Sequence, residues 1–164
     1  MSASPNGAAA GDARPDRVIV GVDGSAGSRT ALAWAADEAA RRAADLLVVA
    51  TWPLDPPPPS PPVVIDATRD QQPQPPSRAA VAVLDEMRAD LESLRLDRER
   101  VTTLMEAGRP EHVLVELSAT ADLLVVGTHG RGLLRGFLLG SVSTYVAAHA
   151  RCPVVVVPST WVRR

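Results

Sequence analysis

The sequence contains no lysine, because all 17 of its basic residues are arginine. A phosphate-binding loop of the Gly-Lys-Ser/Thr type needs that lysine, and enzymes that form Schiff bases need a lysine amine as nucleophile. Both classes are therefore excluded. Aromatic residues make up only 3% of the 164 residues, and the formal net charge is −2. Without a basic surface or stacking aromatic side chains, we do not expect the chain to bind nucleic acid.

Long apolar runs are also missing: none approaches the roughly 20 residues that a membrane-spanning helix requires. The single cysteine, Cys152, excludes a disulfide within the chain. Its position between Arg151 and Pro153, just before a predicted strand, favours a packed side chain over a nucleophile. Residues 1–16 lack the basic and apolar regions of a secretory signal. We therefore expect a disordered N-terminal tail and a cytoplasmic protein.

Apolar, β-branched runs alternate with amphipathic stretches along the rest of the chain. The runs predict strands over 18–22, 46–52, 101–106, 122–126 and 154–157. The stretches between them predict helices over 28–44, 77–96, 110–119 and 141–150, with Ser28 and Ser77 as N-caps and Pro110 opening the third. This alternation predicts an α/β fold: an open five-stranded parallel sheet with helices on both faces, Rossmann-like, for which 3-2-1-4-5 is the common strand order.

One segment departs from this pattern, because ten of the 15 prolines lie between residues 53 and 76. Neither a helix nor a central strand persists through so many prolines. We interpret the segment as an extended surface connection inside a single domain over 17–158, which a short tail, 159–164, follows. A docking site for a proline-binding partner and a lid over a ligand are the alternatives.

The stretch from Val125 to Ser143 is rich in glycine and reads V-V-G-T-H-G-R-G-L-L-R-G-F-L-L-G-S-V-S. Gly127 and Gly130 let the backbone turn tightly and approach a ligand, and Gly140 places free N–H groups at the start of a helix. The accompanying hydroxyl groups and positive charges belong to Ser141, Ser143, Arg131 and Arg135. These groups fit a polyphosphate better than a carboxylate.

A second polar element, Asp23-Gly24-Ser25, follows the first predicted strand. In open parallel sheets, ligands bind beyond the carboxyl ends of the strands where the winding reverses, which here is between the first and fourth strands. Asp23 follows the first strand and Gly127 follows the fourth, more than 100 positions later. We predict that these two elements meet in one cleft.

The spacing Gly127-x2-Gly130-x9-Gly140-Ser141 resembles the G-2x-G-9x-G-(S/T) nucleotide motif of the universal stress protein family, in its ATP-binding subgroup. Four further segments resemble the family: Val22-Asp23-Gly24-Ser25, Gly108-Arg109-Pro110, the stretch from Asp122 to Gly132, and Cys152-Pro153 before the final valines. The resemblance extends over about 17–158, and the proline-rich segment is the departure from it.

This resemblance implies an ATP site at particular residues. The nucleoside would be contacted by Gly21, Val22, Asp23, Thr51, Val126 and Gly127. The triphosphate would be held by Gly130, Gly140, Ser141, Val142 and Ser143. Asp23 would accept hydrogen bonds from the ribose hydroxyls, and Thr51 would offer backbone groups to adenine. Mg²⁺ would be bound mainly through the phosphates.

The resemblance also implies a function: an ATP-binding module that senses or signals nucleotide level in the stress response, with little or no hydrolysis. The family pairs its last strand across a two-fold axis, which implies a homodimer through 154–157. Two alternatives stay open, an adenine-nucleotide-dependent enzyme (a slow ATPase or a phosphoryl or adenylyl transferase) and a structural dimer that binds another adenine ligand such as cyclic AMP.

The three histidines bear on the enzyme alternative. His129 lies in the glycine-rich stretch without a recognisable orienting carboxylate, so we interpret it as a solvated loop residue and assign no catalytic residue. His112 and His149 are interpreted as surface or capping residues. Their scattered positions do not match a zinc site, and we expect no protein ligands for a metal.

Overall fold

The computed structural model describes residues 15–52, 78–93, 97–128 and 139–162. The N-terminal tail, the proline-rich segment and the end of the chain lie outside these ranges. So do five residues singled out above: Ser77, His129, Gly130, Arg131 and Arg135. In the described ranges, no helix combines the length and apolar character needed to cross a membrane.

Five strands and four α-helices alternate along the described chain. The strands are β1 (Arg17–Val22), β2 (Asp45–Trp52), β3 (Val101–Ala107), β4 (Leu123–Gly127) and β5 (Val154–Val157). The helices are α1 (Ala26–Arg42), α2 (Arg78–Ser93), α3 (Pro110–Ser118) and α4 (Ser141–His149), with a short 3-10 turn at Arg98–Arg100. The strands form one parallel sheet in the order β3-β2-β1-β4-β5. The predicted fold class and strand order are confirmed.

The register of the parallel strands places the ends of β1, β2 and β4 side by side. β1 is central, with Val22 opposite Ala50 of β2 and Val20 opposite Val125 of β4. Because all pairs are parallel, every strand ends at the same edge, which we call the carboxyl edge; the opposite side is the amino edge. The ends of β1, β2 and β4 therefore lie next to one another.

The core consists of two apolar layers, one on each face of the sheet. Alternate strand residues such as Val18 and Val20 face α1 and α2, whereas Ile19 and Leu124 face α3 and α4. Helix α1 packs closely on the sheet because its buried stripe is mostly alanine: Ala31, Ala35, Ala36 and Ala39. On α2, Val83, Leu84 and Met87 are buried.

The prediction that Ser28 caps α1 is wrong, because Ser25 does so. Ser25 has extended backbone angles (φ −74°, ψ 161°), and its Oγ accepts a hydrogen bond from the Ser28 N–H at 3.1 Å. Ser28 lies within the first turn, is buried, and donates its hydroxyl to the Ser25 carbonyl at 3.0 Å. At the other end, Ala43 turns left-handed (φ 51°), so the helix stops at Arg42 rather than residue 44.

Candidate functional site

The end of β4 touches the start of α1. A Cβ placed on Gly127 would lie 2.8 Å from the carbonyl carbon and oxygen of Gly27 and 3.2 Å from the Ser28 nitrogen. Only a glycine fits so close to another backbone. The sequence predicted that Asp23–Ser25 and Gly127 meet in one cleft; the contact in the structure is between Gly127 and the start of α1, which begins directly after Ser25.

The turn after β1 holds Asp23 in a defined position. Its Oδ1 accepts a hydrogen bond from the Ser25 N–H at 3.0 Å, and Gly24 between them has a left-handed φ of 79°. Asp23 is half-buried at the carboxyl edge. A carboxylate accepts several hydrogen bonds at once, so its bond to Ser25 is compatible with a further bond to a ligand hydroxyl.

The backbone of Thr128, directly after β4, joins three elements. Its N–H donates to the Val157 carbonyl of β5 at 3.0 Å, and its carbonyl accepts from the Gly140 N–H at 2.6 Å. The same carbonyl also accepts from the Ser143 hydroxyl at 3.2 Å. These bonds bring residues 128 and 140 together and hold the start of α4 against the ends of β4 and β5.

Helix α4 begins with backbone groups of the kind that bind anions. Gly140 is its N-cap, with extended angles of φ −75° and ψ 168°. The first hydrogen bond within the helix runs from the Thr144 N–H to the Gly140 carbonyl at 2.9 Å, so the amides of Ser141, Val142 and Ser143 precede it. Together with the positive end of the helix dipole, such amides suit a phosphate. The side chain of Ser141 is exposed beside them.

Two details of the predicted phosphate site are wrong in this structure. Gly140 does not offer a free N–H, because that group donates to Thr128. The Ser143 hydroxyl points inward: Ser143 is 2% exposed and also donates to the Gly140 carbonyl at 3.0 Å. Both groups close the junction between β4 and α4. The amides of Ser141, Val142 and Ser143 and the Ser141 hydroxyl are the remaining donors at this end of α4.

The residues predicted to contact the nucleoside lie at the ends of three neighbouring strands. Thr51 of β2 is half-buried, whereas Val22 of β1 and Val126 of β4 are buried. Gly21 makes room for α3, since a Cβ there would lie 2.8 Å from Leu114 Cδ1. The structure thus gathers these residues at the carboxyl edge, and Gly130 lies outside the described residues.

Sequence reasoning overlooked Trp52, the last residue of β2. Its carbonyl accepts a hydrogen bond from the Gly108 N–H at 2.8 Å, and Gly108 has a φ of 144° that favours glycine. Its indole Nε1 is buried and has no hydrogen-bond partner among the residues that the structure describes. A buried indole N–H usually has one. The sequence signal that could have identified this residue is a tryptophan at the last position of a predicted strand.

Cys152 and the described histidines lie where the sequence predicted. Cys152 packs partly buried against the α3–α4 layer, and burial, then the charge of Asp122, raises the pKa of its thiol, which disfavours the reactive thiolate. His112 and His149 are exposed and stack on either side of Tyr145, at centroid distances of 5.4 and 4.1 Å. Within the described ranges, no cluster of three His, Cys, Asp or Glu residues could hold a metal.

A cavity of about 230 Å³ lies at the amino edge, away from these groups. Its walls are formed by Ala39, Ala40, Ala43, Ala44, Leu46, Asp97, Arg100 and Val101. Half of this lining is alanine, and only Asp97 and Arg100 carry polar side chains that could orient a ligand, so we place the functional site at the carboxyl edge.

Comparison of the sequence with known proteins identifies a family and several relatives. The sequence model described as the Universal stress protein family matches residues 15–158. Universal stress protein Rv2005c of Mycobacterium tuberculosis is 39% identical over 143 residues, which cover 85% of this chain and 44% of that protein. Universal stress protein Rv2623 of the same organism is 38% identical over 139 residues, with 85% and 44% covered. The chain therefore spans less than half the length of these relatives.

Solved structures show the same fold. A universal stress protein solved in complex with cAMP is 27% identical, with a TM-score of 0.64, and the match covers 90% of this chain and 100% of that one. UspA from Lactobacillus plantarum is 23% identical, with a TM-score of 0.67 and coverage of 89% and 99%. Because the family model matches residues 15–158, which include every strand of the sheet, this chain belongs to the universal stress protein family.

Proposed function

We propose that this domain binds ATP at the carboxyl edge of its sheet and acts as a nucleotide-sensing or signalling module in the stress response, with little or no hydrolysis. One observation carries the proposal: the end of β4 contacts the start of α1 through Gly127 and the start of α4 through Thr128. A carboxylate suited to a sugar and amides suited to phosphates thereby share one edge of the sheet.

Helix α4 supplies the phosphate end of the proposed site. The amides of Ser141, Val142 and Ser143, with the exposed Ser141 side chain, form a compact set of donors for phosphate oxygens. A charge at a helix N-terminus gains about 0.3–1 kcal/mol from the dipole, and more where it is partly buried. Because the chain has no lysine, we expect Mg²⁺ on the phosphates and the sequence's arginines to neutralise the remaining charge.

The strand ends supply the nucleoside end. Asp23 accepts the ribose hydroxyls, because its carboxylate has only acceptors and a diol has two donors. Since Val22 and Val126 are buried, they and Gly127 meet the ligand through their backbone, as Thr51 meets adenine. The buried donor of Trp52 lies next to Thr51 along the chain.

Cyclic AMP is the second candidate ligand, favoured by the likeness to the universal stress protein that was solved with cAMP. The two ligands differ in the number of phosphate groups that the amides of α4 would bind. Three amides in succession suit a chain of phosphates, whereas a cyclic phosphodiester presents a single charge.

We also propose that the domain pairs with a second copy of itself through β5. This strand is the outermost strand of the sheet on the side of β4, and Val154, Val155 and Val156 are only half-buried. An apolar edge strand is usually paired or covered. Light scattering at micromolar concentrations is expected to give twice the monomer mass, and a monomer would contradict the pairing.

Calorimetry with ATP, ADP, AMP and cyclic AMP tests the ligand. We expect Asp23→Ala to weaken ATP binding about tenfold or more, since a hydrogen bond to a charged group contributes about 1.5–3 kcal/mol. Asp122→Ala is the matched control, because it removes a carboxylate from the amino edge, where it accepts from the Arg17 N–H at 2.8 Å. Equal losses in both variants, or no ATP binding by the unmodified protein, would refute the proposed site.

A further inference from the structure

The hydrogen bonds at Thr128 form a junction that the proposed ligand contacts do not explain. We call this junction the Thr128 clamp: the bonds from the Gly140 N–H and the Ser143 hydroxyl to the Thr128 carbonyl, and from the Thr128 N–H to the Val157 carbonyl. The bond to Val157 ties Thr128 to the edge strand, so its carbonyl is a fixed point at the end of the sheet. The other two bonds attach the start of α4 to that point.

The Ser143 side chain belongs to this junction rather than to the open end of the helix. It is 2% exposed, and its one hydroxyl proton lies between two carbonyl oxygens, 3.2 Å from Thr128 and 3.0 Å from Gly140. Val146, three residues later on the same face of α4, is fully buried against the sheet. Ser141, by contrast, is exposed. The two serines therefore point to opposite sides of the helix start.

We propose that Ser143 is a positioning residue: its hydroxyl, through the Thr128 clamp, sets the direction of the amides of Ser141 to Ser143 and is not itself a phosphate ligand. The inference rests on the proposed nucleotide site. Amides whose direction is fixed before the ligand arrives bind without the entropy cost of ordering them. The hydroxyl thus acts on the phosphates alone, and only through the position of α4.

The first test compares ligands that differ only in phosphate number. In Ser143→Ala, we expect ADP and ATP to bind about tenfold more weakly, while the affinity for adenosine stays within about twofold. Loss of affinity for adenosine to the same extent as for ATP would overturn the proposal, because general loosening of the fold does not distinguish the ligands. Unchanged ATP affinity would overturn it as well.

Ser118→Ala is the matched control for this variant. Ser118 is also fully buried, donates its hydroxyl to a carbonyl three residues earlier (Val115, 2.6 Å) and bridges to another segment by accepting from the Arg151 N–H at 2.9 Å. It lies at the amino edge. We expect Ser118→Ala to lower stability but to leave the affinities for adenosine and ATP within about twofold of the unmodified protein.

Amide hydrogen exchange measured by NMR on the ligand-free protein separates positioning from direct contact. Positioning predicts faster exchange at the Gly140 amide, which donates to Thr128, in Ser143→Ala, and recovery of slow exchange and of ATP affinity in Ser143→Thr, which keeps the hydroxyl. Loss of ATP affinity with unchanged exchange would identify Ser143 as a direct ligand and overturn the proposal. If Ser143→Ala does not fold, Ser143→Cys keeps the volume with a weaker donor, and the same outcomes apply.

The exchange measurement also keeps the two proposals apart. If the unmodified protein binds no nucleotide while exchange at Gly140 still responds to Ser143→Ala, the proposed function fails and the clamp stands as a structural junction without a ligand role. If ATP binds and neither exchange nor affinity responds, the proposed function stands and the positioning role of Ser143 is overturned.

Discussion

At the amino edge of the sheet, polar groups from different elements pair with one another. The Arg17 N–H donates to Asp122 Oδ2 at 2.8 Å, and the Arg17 carbonyl accepts from the Asp122 N–H at 2.9 Å. The Asp45 N–H donates to the Asp16 carbonyl at 2.8 Å, and the Ser118 hydroxyl oxygen accepts from the Arg151 N–H at 2.9 Å. At the carboxyl edge, bonds such as Thr128–Val157 also join elements, but the turn Asp23–Ser25 closes on itself, and α4 begins with three amides that precede its first internal hydrogen bond.

We interpret this difference between the two edges as a division of roles: the amino edge contributes to stability, and the carboxyl edge contributes to binding. Polar groups that pair across elements at the amino edge hold the strand starts together and leave little for a ligand. At the carboxyl edge, Gly24 and Gly108 adopt positive φ values and Gly127 admits close backbone contact, so the chain turns tightly beside groups able to bind. Substitutions at the amino edge are therefore expected to cost stability alone, and those at the carboxyl edge to cost binding as well.

The largest effect is expected at Gly127. In Gly127→Ala, the new Cβ meets the backbone of Gly27, which has no flexible end to move aside, so the free energy of unfolding should fall by about 3 kcal/mol, and ATP binding should be lost. Gly21→Ala is the matched control: its Cβ meets the end of the Leu114 side chain at the same 2.8 Å, and a loss of only about 1 kcal/mol is expected. Urea unfolding of both variants measures this, and a larger loss in Gly21→Ala would contradict the account.

A smaller loss is expected at the amino edge. Asp122→Ala leaves the Arg17 N–H without its acceptor, which should lower the free energy of unfolding by about 2 kcal/mol with no change in ATP affinity. Asp122→Asn keeps an acceptor oxygen and should recover most of the loss. Denaturant unfolding beside calorimetry checks both quantities, and weakened ATP binding by Asp122→Ala would break the separation between the two edges.

The N-cap of α1 gives the next effect. Ser25→Ala removes the oxygen that accepts from the Ser28 N–H and should destabilise the protein by about 1 kcal/mol, while Ser25→Asp should keep the cap. The Ser25 N–H that bonds Asp23 is kept in Ser25→Ala, but the lost cap loosens the first turn of α1 directly after Asp23–Ser25, so ATP affinity should fall slightly. Thermal unfolding and calorimetry measure the two effects. Equal stability of the alanine and aspartate variants would argue against the cap.

The smallest effect concerns Glu38, towards the amino-edge end of α1. Hydrogen bonds from Arg41 and then Arg42 lower the pKa of its carboxyl. A lowered folded-state pKa adds stability that is present above the ordinary glutamate pKa of about 4.3 and is lost as the pH falls through the folded-state value. Glu38→Gln should therefore be less stable than the unmodified protein by less than about 1 kcal/mol at pH 7, and the difference should vanish in acid. A difference that grows as the pH falls would contradict this sign.

The fold was accessible from the sequence because its signals are local. Apolar runs such as 18–22 and 154–157 are too short and too rich in valine for helices, and their alternation with helical stretches leaves few topologies other than a parallel sheet. The helix boundaries were less accurate. Two serines at positions 25 and 28 both suit an N-cap, and only backbone angles distinguish the cap from a residue in the first turn.

The sequence predicted which residues reach the carboxyl edge but not the direction in which their polar groups point. The glycine and serine positions around Gly127 and Ser141, with Asp23 after the first strand, name the residues that reach one edge, because strand order alone brings their loops together. Which groups face a ligand depends on partners that are distant in sequence. The inward direction of the Gly140 amide and the Ser143 hydroxyl exists only because Thr128, held by Val157 of the neighbouring strand, places a carbonyl beside them. A hydrogen bond needs both of its atoms in position, and only the folded chain sets the second one.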